Sequence, residues 1–347
     1  MNYKLLGNSG LRVSELALGT MTFGENWGWG ATKEESKKIF DLYVEAGGNF
    51  IDTANVYTEG HSEQLLGEFI KEKRDKLVVA TKFTGSTVEG DPNSWGNHRK
   101  NIMLAVEKSL KNLGTDYIDL YWLHIWDYTT RPQEVLRALD DLVKQGKILY
   151  TGISDTPAWI VSQSNAIAEL KGWTPFTAIQ IEYNLLQRSV EFDLLSMAKT
   201  LGLGILAWSP LSAGVLSGKF HEGENDSKRE FINKDGRINE HSTAVVIELI
   251  RIAKEMDKSP SQIAINWLIQ QHDQIFPLIG ARKISQLQDN LEAISFTLPA
   301  EHLEALNKVS KPELVFPYSM WKDKEAMTKF LSKGASNISN WKMPFKI

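Results

Sequence analysis

Short apolar segments alternate with amphipathic segments along most of the chain. Eight of the apolar segments are rich in β-branched and aromatic residues and have the length of buried strands. Because nearly every position in them is apolar, we expect both faces to be covered, as parallel strands require. The predicted strands are Glu15–Leu18, Phe50–Asp52, Leu77–Lys82, Tyr117–His124, Ile148–Ile153, Ala178–Ile181, Gly204–Trp208 and Gln274–Ile279.

The segments between these strands have apolar positions at helical spacing and recognisable helix ends. Thr32 and Glu35 form a capping-box pattern, and Ser259 precedes Pro260 and Gln262 in a second one. Eight successive strand–helix units predict an α/β protein with the (β/α)8 TIM-barrel fold. An open, doubly wound sheet is the alternative, but eight regularly spaced units without a break favour closure.

Three segments fall outside this repeat. We expect an N-terminal β-hairpin before the barrel and a long loop, Ser212–His241, after the seventh barrel strand. One helix with Leu303, Leu306 and Val309 opens the C-terminal segment, and an irregular tail follows it. No linker is evident, so residues 1–347 are predicted to form a single domain, with the barrel core at about 15–298 and the tail at 299–347.

Composition excludes several classes of protein. The chain has no cysteine, which rules out disulfides, zinc–thiolate sites and a thiol nucleophile. The net charge of −4 argues against a nucleic-acid partner. The seven histidines lack the spacing of metal ligands, so no metal is expected. No signal peptide or membrane span is visible, and we expect a cytoplasmic protein without a membrane partner. The oligomeric state stays open.

Polar side chains capable of chemistry stand at consecutive strand ends. Asp52 ends the second predicted strand, Lys82 the third and His124 the fourth, and Tyr57 follows Asp52 in the same loop. A lone strand-end Lys or His is more often structural, and Asp52 could simply cap a turn. However, active sites of TIM barrels lie at the C-terminal ends of the strands. We therefore expect these four side chains to converge there.

The same segments closely resemble the aldo-keto reductase signatures. The resemblance is carried by Gly48–Tyr57 with Ser62 and Glu63, by Leu110–His124, and by Trp208–Leu211 with Gly214, Leu216 and Gly218–Phe220. It extends from Leu6 to about Leu298 and is greatest for the branch of aryl-alcohol dehydrogenase-like reductases and potassium-channel β-subunits. It implies an oxidoreductase that uses NADP(H) to reduce an aldehyde or ketone reversibly to the alcohol.

The resemblance also implies roles for individual residues. Tyr57 is then the general acid, Lys82 its cationic neighbour that favours the phenolate form, Asp52 the ion-pair partner of Lys82, and His124 the residue that orients the carbonyl oxygen. Arg282, in a loop that opens a helix, offers a forked donor set for a 2′-phosphate. Asp155 stands where the family often has Asn. The implied cofactor residues are Gly19, Thr20, Met21, Asp52, Ser154, Gln180, Trp208, Ser209, Pro210, Leu211, Gly214, Lys219, Gly280, Ala281, Arg282, Gln286, Asp289 and Asn290.

Tryptophans in the loops after the strands suggest the kind of substrate. The rings predicted to line the substrate pocket are those of Trp27, Trp29 and Trp126. The alternative is that some of these rings serve solely to pack the loops against one another. Trp321 and Trp341 of the tail are candidate lids. Aromatic faces around a carbonyl site favour an aromatic or bulky hydrophobic small-molecule substrate. Two other functions remain open: a nucleotide-binding interaction protein of the channel β-subunit kind with little turnover, and an aldolase that uses Lys82 as a Schiff base.

Overall fold

The computed structural model describes residues 1–219 and 236–333. Strands β1 (Tyr3–Leu5) and β2 (Arg12–Ser14) pair antiparallel as the predicted hairpin. Eight parallel strands then form a closed barrel, in which the last strand pairs with both the first and the seventh. The barrel strands are β3 (Ala17–Gly19), β4 (Phe50–Asp52), β5 (Val78–Phe83), β6 (Ile118–Leu123), β7 (Ile148–Ser154), β8 (Phe176–Glu182), β9 (Gly204–Trp208) and β10 (Ile275–Gly280). The predicted TIM barrel is confirmed.

The hairpin closes the N-terminal end of the barrel. Leu6 and Val13 are fully buried and pack in one cluster with Phe50 and Phe276, which lie near the beginnings of their strands. At Gly7 the backbone adopts a φ of +57°, and an added Cβ would lie 2.6 Å from the carbonyl oxygen of residue 177. Only glycine fits such a close approach without strain. Because the hairpin covers this end of the barrel, the mouth of the barrel lies at the opposite end, where the strands terminate.

Helices cover the outside of the barrel. They are α1 (Lys33–Glu45), α2 (His61–Ile70), α3 (Arg99–Leu113), α4 (Pro132–Lys144), α5 (Ala158–Lys171), α6 (Leu194–Leu201), α7 (Glu240–Glu255), α8 (Pro260–Ile269), α9 (Ile284–Leu291), α10 (Ala300–Val309) and α11 (Lys324–Ser332). Their apolar stripes pack on the outer faces of the strands in the larger of two buried clusters. Among the described residues, no helix is long and apolar enough to cross a membrane.

The helices differ from the sequence prediction at one helix end and in the tail. The capping box of Ser259 and Gln262 is confirmed. Thr32 accepts a hydrogen bond from the Glu35 amide at 3.2 Å, but the Glu35 carboxylate accepts one from the amide of Ile284, at the start of α9, instead of closing the box. The tail, predicted to be irregular, contains α11, because Asp323 caps its first turn. Trp341 and residues 220–235 of the long loop lie outside the described residues.

Candidate active site

The strand ends place most of the predicted site residues around one mouth. Parallel pairing sets Asp52 beside Gly19, Lys82 beside Trp122, and Ser154 beside Gln180. Each barrel strand therefore contributes its carboxyl end to the same rim, opposite the hairpin. This is the face on which TIM barrels carry their chemistry.

Lys82 is the centre of a buried hydrogen-bond network. Its ammonium donates to Oδ1 of Asp52, to the carbonyl oxygen of Thr53 at 2.8 Å and to the phenol oxygen of Tyr57 at 3.1 Å. The Gln180 amide donates to the other oxygen of Asp52 at 3.1 Å. Asp52 and Lys82 are both fully buried, so their opposite charges compensate each other away from water. All three donor positions of the ammonium are satisfied.

Protonation of this network follows from burial and charge. Burial alone lowers the pKa of Lys82, but the charge of Asp52 outweighs it and raises the pKa above its usual value. Burial raises the pKa of the Tyr57 phenol, and the opposing effect of the Lys82 charge is too small to reverse this. We expected the charge of Lys82 to favour the phenolate form of Tyr57, but the effect of burial on the phenol is larger. Tyr57 holds its proton at neutral pH and is available as an acid.

His124 lies next to the phenol of Tyr57. Its ring centroid is 5.8 Å from that of Tyr57, and the two ring planes cross at 80°. Burial, and then the charge of Lys82, lower the pKa of His124 to about 3. The imidazole is consequently neutral at physiological pH and can offer a ring nitrogen to a polar substrate atom.

A strained residue that the sequence did not reveal supports His124. Thr84, directly after β5, is buried with a φ of +102°, which is unfavourable for a β-branched side chain. Its hydroxyl accepts a hydrogen bond from the His124 amide at 3.3 Å and donates one to Oδ1 of Asn97 at 2.6 Å. Backbone strain of this kind persists where the surroundings hold it, often at functional sites. Nothing in the local sequence signals this positive φ.

The predicted nicotinamide residues lie on the opposite side of the mouth. The Ser154 hydroxyl donates to the carbonyl oxygen of Gln180 at 3.0 Å. The indole nitrogen of Trp208 donates to Oδ1 of Asp155 at 3.0 Å. Asp155 is an exposed residue, but partial desolvation of its carboxylate raises the pKa of Asp155 to about 6, against the opposing effects of Trp208 and Lys82. Asp155 thus makes a specific contact with a predicted cofactor residue.

The segment after β9 is also strained. Ser209, Ser212, Ala213 and Gly214 all have positive φ, between 48° and 98°. The amide of Ala213 donates to the Ser209 hydroxyl at 3.0 Å, which holds this turn in place. Pro210 is buried within the segment, Leu211 is half-buried, and Lys219 is exposed at the end of the described part.

The predicted adenosine end is organised by hydrogen bonds around the start of α9. The backbone carbonyl of Ala281 accepts from Thr22 at 2.6 Å, and the Arg282 amide donates to the Gln286 side chain at 2.9 Å. The Glu35 carboxylate accepts a hydrogen bond from the Ile284 amide and so places a negative charge beside this helix end. The sequence did not predict this contact. The remaining predicted residues here are buried Asn290, which donates to the Gly280 carbonyl at 3.4 Å, and Asp289.

Asp289 has a structural role in the described fold. One of its carboxylate oxygens accepts from the Ser259 hydroxyl and the other from the Gln262 amide, both at 2.8 Å. The carboxylate therefore ties α9 to the capping box of α8. The sequence pattern alone does not distinguish this role from the predicted contact with the cofactor.

The predicted substrate tryptophans do not occupy equivalent places. The ring of Trp27 lies 6.5 Å from that of Tyr57, edge to face, and 5.6 Å from that of Trp29. Trp126 is only 7% exposed and belongs to the outer core cluster. Of the three predicted tryptophans, Trp27 is therefore the one whose ring contacts a catalytic candidate, Tyr57. Gly19 and Met21 lie on the same rim, Met21 with 43% of its surface exposed, while Thr20 is buried against Asp52.

Within residues 1–219 and 236–333, no three His, Asp or Glu side chains are grouped as metal ligands. The described site brings together a phenol, an ammonium–carboxylate pair and a neutral imidazole. Such a set can donate and stabilise a proton at an oxygen atom.

Comparison with known proteins is consistent with this geometry. Residues 15–311 match the Aldo/keto reductase family. The chain is 37% identical to aryl-alcohol dehydrogenase [NADP(+)] of Phanerodontia chrysosporium, over 97% of this chain and 93% of that protein. It is 38% identical to norsolorinic acid reductase of Aspergillus flavus, over 90% and 82%. An aryl-alcohol dehydrogenase of Pestalotiopsis microspora is 35% identical, over 90% and 83%. The chain therefore belongs to the aldo/keto reductase family, as its motifs predicted.

Proposed function

We propose that this protein is an NADP(H)-dependent reductase of aldehydes or ketones in which Tyr57, Lys82, Asp52 and His124 are the catalytic residues. The observation that carries the proposal is the Lys82 network, which joins a buried ion pair to a protonated phenol at 3.1 Å. The family and the named activities of its relatives support the reaction class.

When bound, NADPH would supply a hydride, a proton with two electrons, for the carbonyl carbon of the substrate. Tyr57 donates its proton to the carbonyl oxygen, so that the alcohol is formed with its atoms and charges balanced. Lys82 stabilises the resulting phenolate, and Asp52 keeps Lys82 charged in a dry environment. Neutral His124 orients the carbonyl oxygen through a hydrogen bond.

The chemistry of the described residues supports a site for NADP(H). Ser154, Gln180 and Trp208 would hold the nicotinamide part, and the strained turn after β9 would lie at the phosphates. Arg282 would meet the 2′-phosphate through charge-assisted hydrogen bonds. The strain fits such a site, because costly backbone conformations are common where a ligand is held.

The substrate that we propose is an aromatic or bulky hydrophobic carbonyl compound. The ring of Trp27 lies 6.5 Å from that of Tyr57, and the ring of Trp29 packs beside Trp27 at 5.6 Å. Aromatic contacts add roughly 0.5–1.5 kcal/mol beyond area burial, which favours benzaldehyde-type substrates over short aliphatic or sugar aldehydes. The names of two relatives, both aryl-alcohol dehydrogenases, agree with this preference.

The two other functions receive less support. An aldolase needs Lys82 as a neutral nucleophile, whereas Asp52 raises the pKa of Lys82 and keeps it charged. The relatives reported above are all named as oxidoreductases, and none is named as a channel subunit. We further propose that the protein works in the cytoplasm as one barrel domain, on small molecules and without nucleic acid.

Replacing Tyr57 with phenylalanine tests this function. Loss of the acid should lower kcat for benzaldehyde reduction by ~10²–10⁴, the usual size of general acid catalysis. The dissociation constant of NADPH should hardly change, because the phenol acts on the reacting oxygen. Tyr128→Phe is the matched control, since Tyr128 is 74% exposed and loses the same hydroxyl. Near-normal turnover of Tyr57→Phe would refute the assignment.

A further inference from the structure

Asp155 differs from the other carboxylates at the mouth because its hydrogen-bond partner is neutral. Asp52 is paired with Lys82, and Glu182, at the end of β8, is paired with Arg237 at 2.5 Å. In the parts of the chain that the structure describes, Asp155 forms no ion pair, and the neutral indole of Trp208 donates its hydrogen bond. The carboxylate of Asp155 therefore brings to the mouth a negative charge that no ion pair within the described residues neutralises.

This charge lies close to the atoms that react. Asp155 directly follows Ser154, and its amide donates to the carbonyl oxygen of Gln180 at 3.2 Å. Its carboxylate contributes to the raised pKa of Tyr57, and Lys82 in turn lowers the pKa of Asp155. The electrostatic field of Asp155 thus reaches the acid and the cation at the centre of the site.

The backbone of Asp155 is also held in an uncommon conformation. Its φ is +40°, in the left-handed region that Asp and Asn tolerate better than most residues. An asparagine at this position would keep the shape, the backbone and an oxygen able to accept from Trp208. What the aspartate adds is charge.

We propose that the Asp155 carboxylate makes the site discriminate between the two redox states of the cofactor, binding the oxidised, cationic nicotinamide more tightly than the reduced, neutral one. The inference rests on the proposed function, because it takes Ser154, Gln180 and Trp208 as the nicotinamide contacts. A carboxylate attracts a cation and has little effect on a neutral ring of the same shape. Asp155 is therefore a specificity-determining residue for the redox state.

The expected effect is about tenfold in the ratio of the two dissociation constants, or ~1.4 kcal/mol. For a two-electron couple this lowers the potential of the bound cofactor by about 30 mV. Asp155 would thus favour hydride donation on the enzyme, because the positive charge appears on the ring as the hydride leaves. The same attraction would retain the oxidised cofactor longer after the reaction.

The preference should depend on pH. Because partial desolvation raises the pKa of Asp155 to about 6, its charge is lost below that pH, and the preference for the oxidised cofactor should fall with it. His124, with a pKa lowered to about 3, stays neutral across this range. The other ionisable groups coupled to Asp155 are Lys82, Tyr57 and Glu182; Lys82 is paired with Asp52, and Glu182 with Arg237.

Isothermal titration calorimetry with NADP⁺ and with NADPH measures the discrimination directly in the full-length protein. Asp155→Asn should weaken NADP⁺ about tenfold and change NADPH by less than about twofold. Asp257→Asn is the matched control, because Asp257 has a φ of +53° in the exposed turn between α7 and α8 and loses the same charge. In the wild type the preference for NADP⁺ should rise from about pH 5 to pH 7.5, and in Asp155→Asn it should not.

The possible outcomes separate the two proposals. If the wild type binds neither cofactor, the proposed function fails. If both cofactors bind but Asp155→Asn leaves the ratio of their dissociation constants unchanged, or weakens both equally, the inference is overturned while the proposed function stands. Equal weakening would identify Asp155 as a residue that only holds Trp208 in place.

Discussion

Replacing Lys82 with methionine should destabilise the protein as well as inactivate it. Methionine has a similar length and no charge, so the change removes the three hydrogen bonds of the ammonium and leaves Asp52 without its cation. Both partners are fully buried, so solvent does not screen the lost attraction. Breaking a buried pair by removing one partner costs about 3–5 kcal/mol. For a chain of this length that corresponds to a fall in Tm of roughly 4–7 °C.

A double variant distinguishes the charge imbalance from the loss of packing. Asp52→Asn combined with Lys82→Met is neutral and should regain much of the lost free energy of unfolding, while carbonyl reduction stays abolished. Urea unfolding followed by far-UV circular dichroism measures the stabilities, and NADPH oxidation with benzaldehyde measures the activity. A single variant that loses less than about 1 kcal/mol, or a double variant no more stable than the single one, would refute this account of the ion pair.

Three further changes test other parts of the site. Arg282→Ala should weaken NADPH by about one to two decades and leave NADH nearly unchanged, and equal weakening of both would show that Arg282 is structural. Thr84→Val should lower kcat roughly two- to tenfold through displacement of His124, while Thr84→Ser keeps the hydroxyl and the rate; equal rates in both would contradict the role of the hydroxyl. Trp27→Ala should raise KM roughly two- to tenfold for benzaldehydes but not for short aliphatic aldehydes, and a uniform increase would argue against an aromatic contact.

The parts of the fold that the sequence predicts depend on local patterns. The strand ending at Asp52 and the cap at Ser259 follow from residue types that are adjacent in the chain, so both were predictable. The convergence of Asp52, Lys82 and His124 was predictable as well, because the barrel fixes where strand ends lie.

The contacts that escaped prediction depend on residues far apart in the sequence. The Glu35 carboxylate reaches the amide of Ile284, and this contact overrides the local capping pattern. The hydrogen bond between Asp155 and Trp208 likewise joins the residue after β7 to the end of β9, which are 53 positions apart in the sequence. The positive φ of Thr84 is imposed by tertiary contacts on a residue that does not favour it. Such features become visible only when the chain is folded.

Transfer of an isotopic label tests the central claim most directly. NADPH carrying deuterium at both C4 positions of the nicotinamide is incubated with the protein and benzaldehyde, and the product is analysed by mass spectrometry. If the site moves a hydride from the cofactor to a carbonyl carbon, the benzyl alcohol will carry one deuterium on its carbinol carbon. Alcohol without deuterium, or no alcohol from any aromatic aldehyde, would contradict the account.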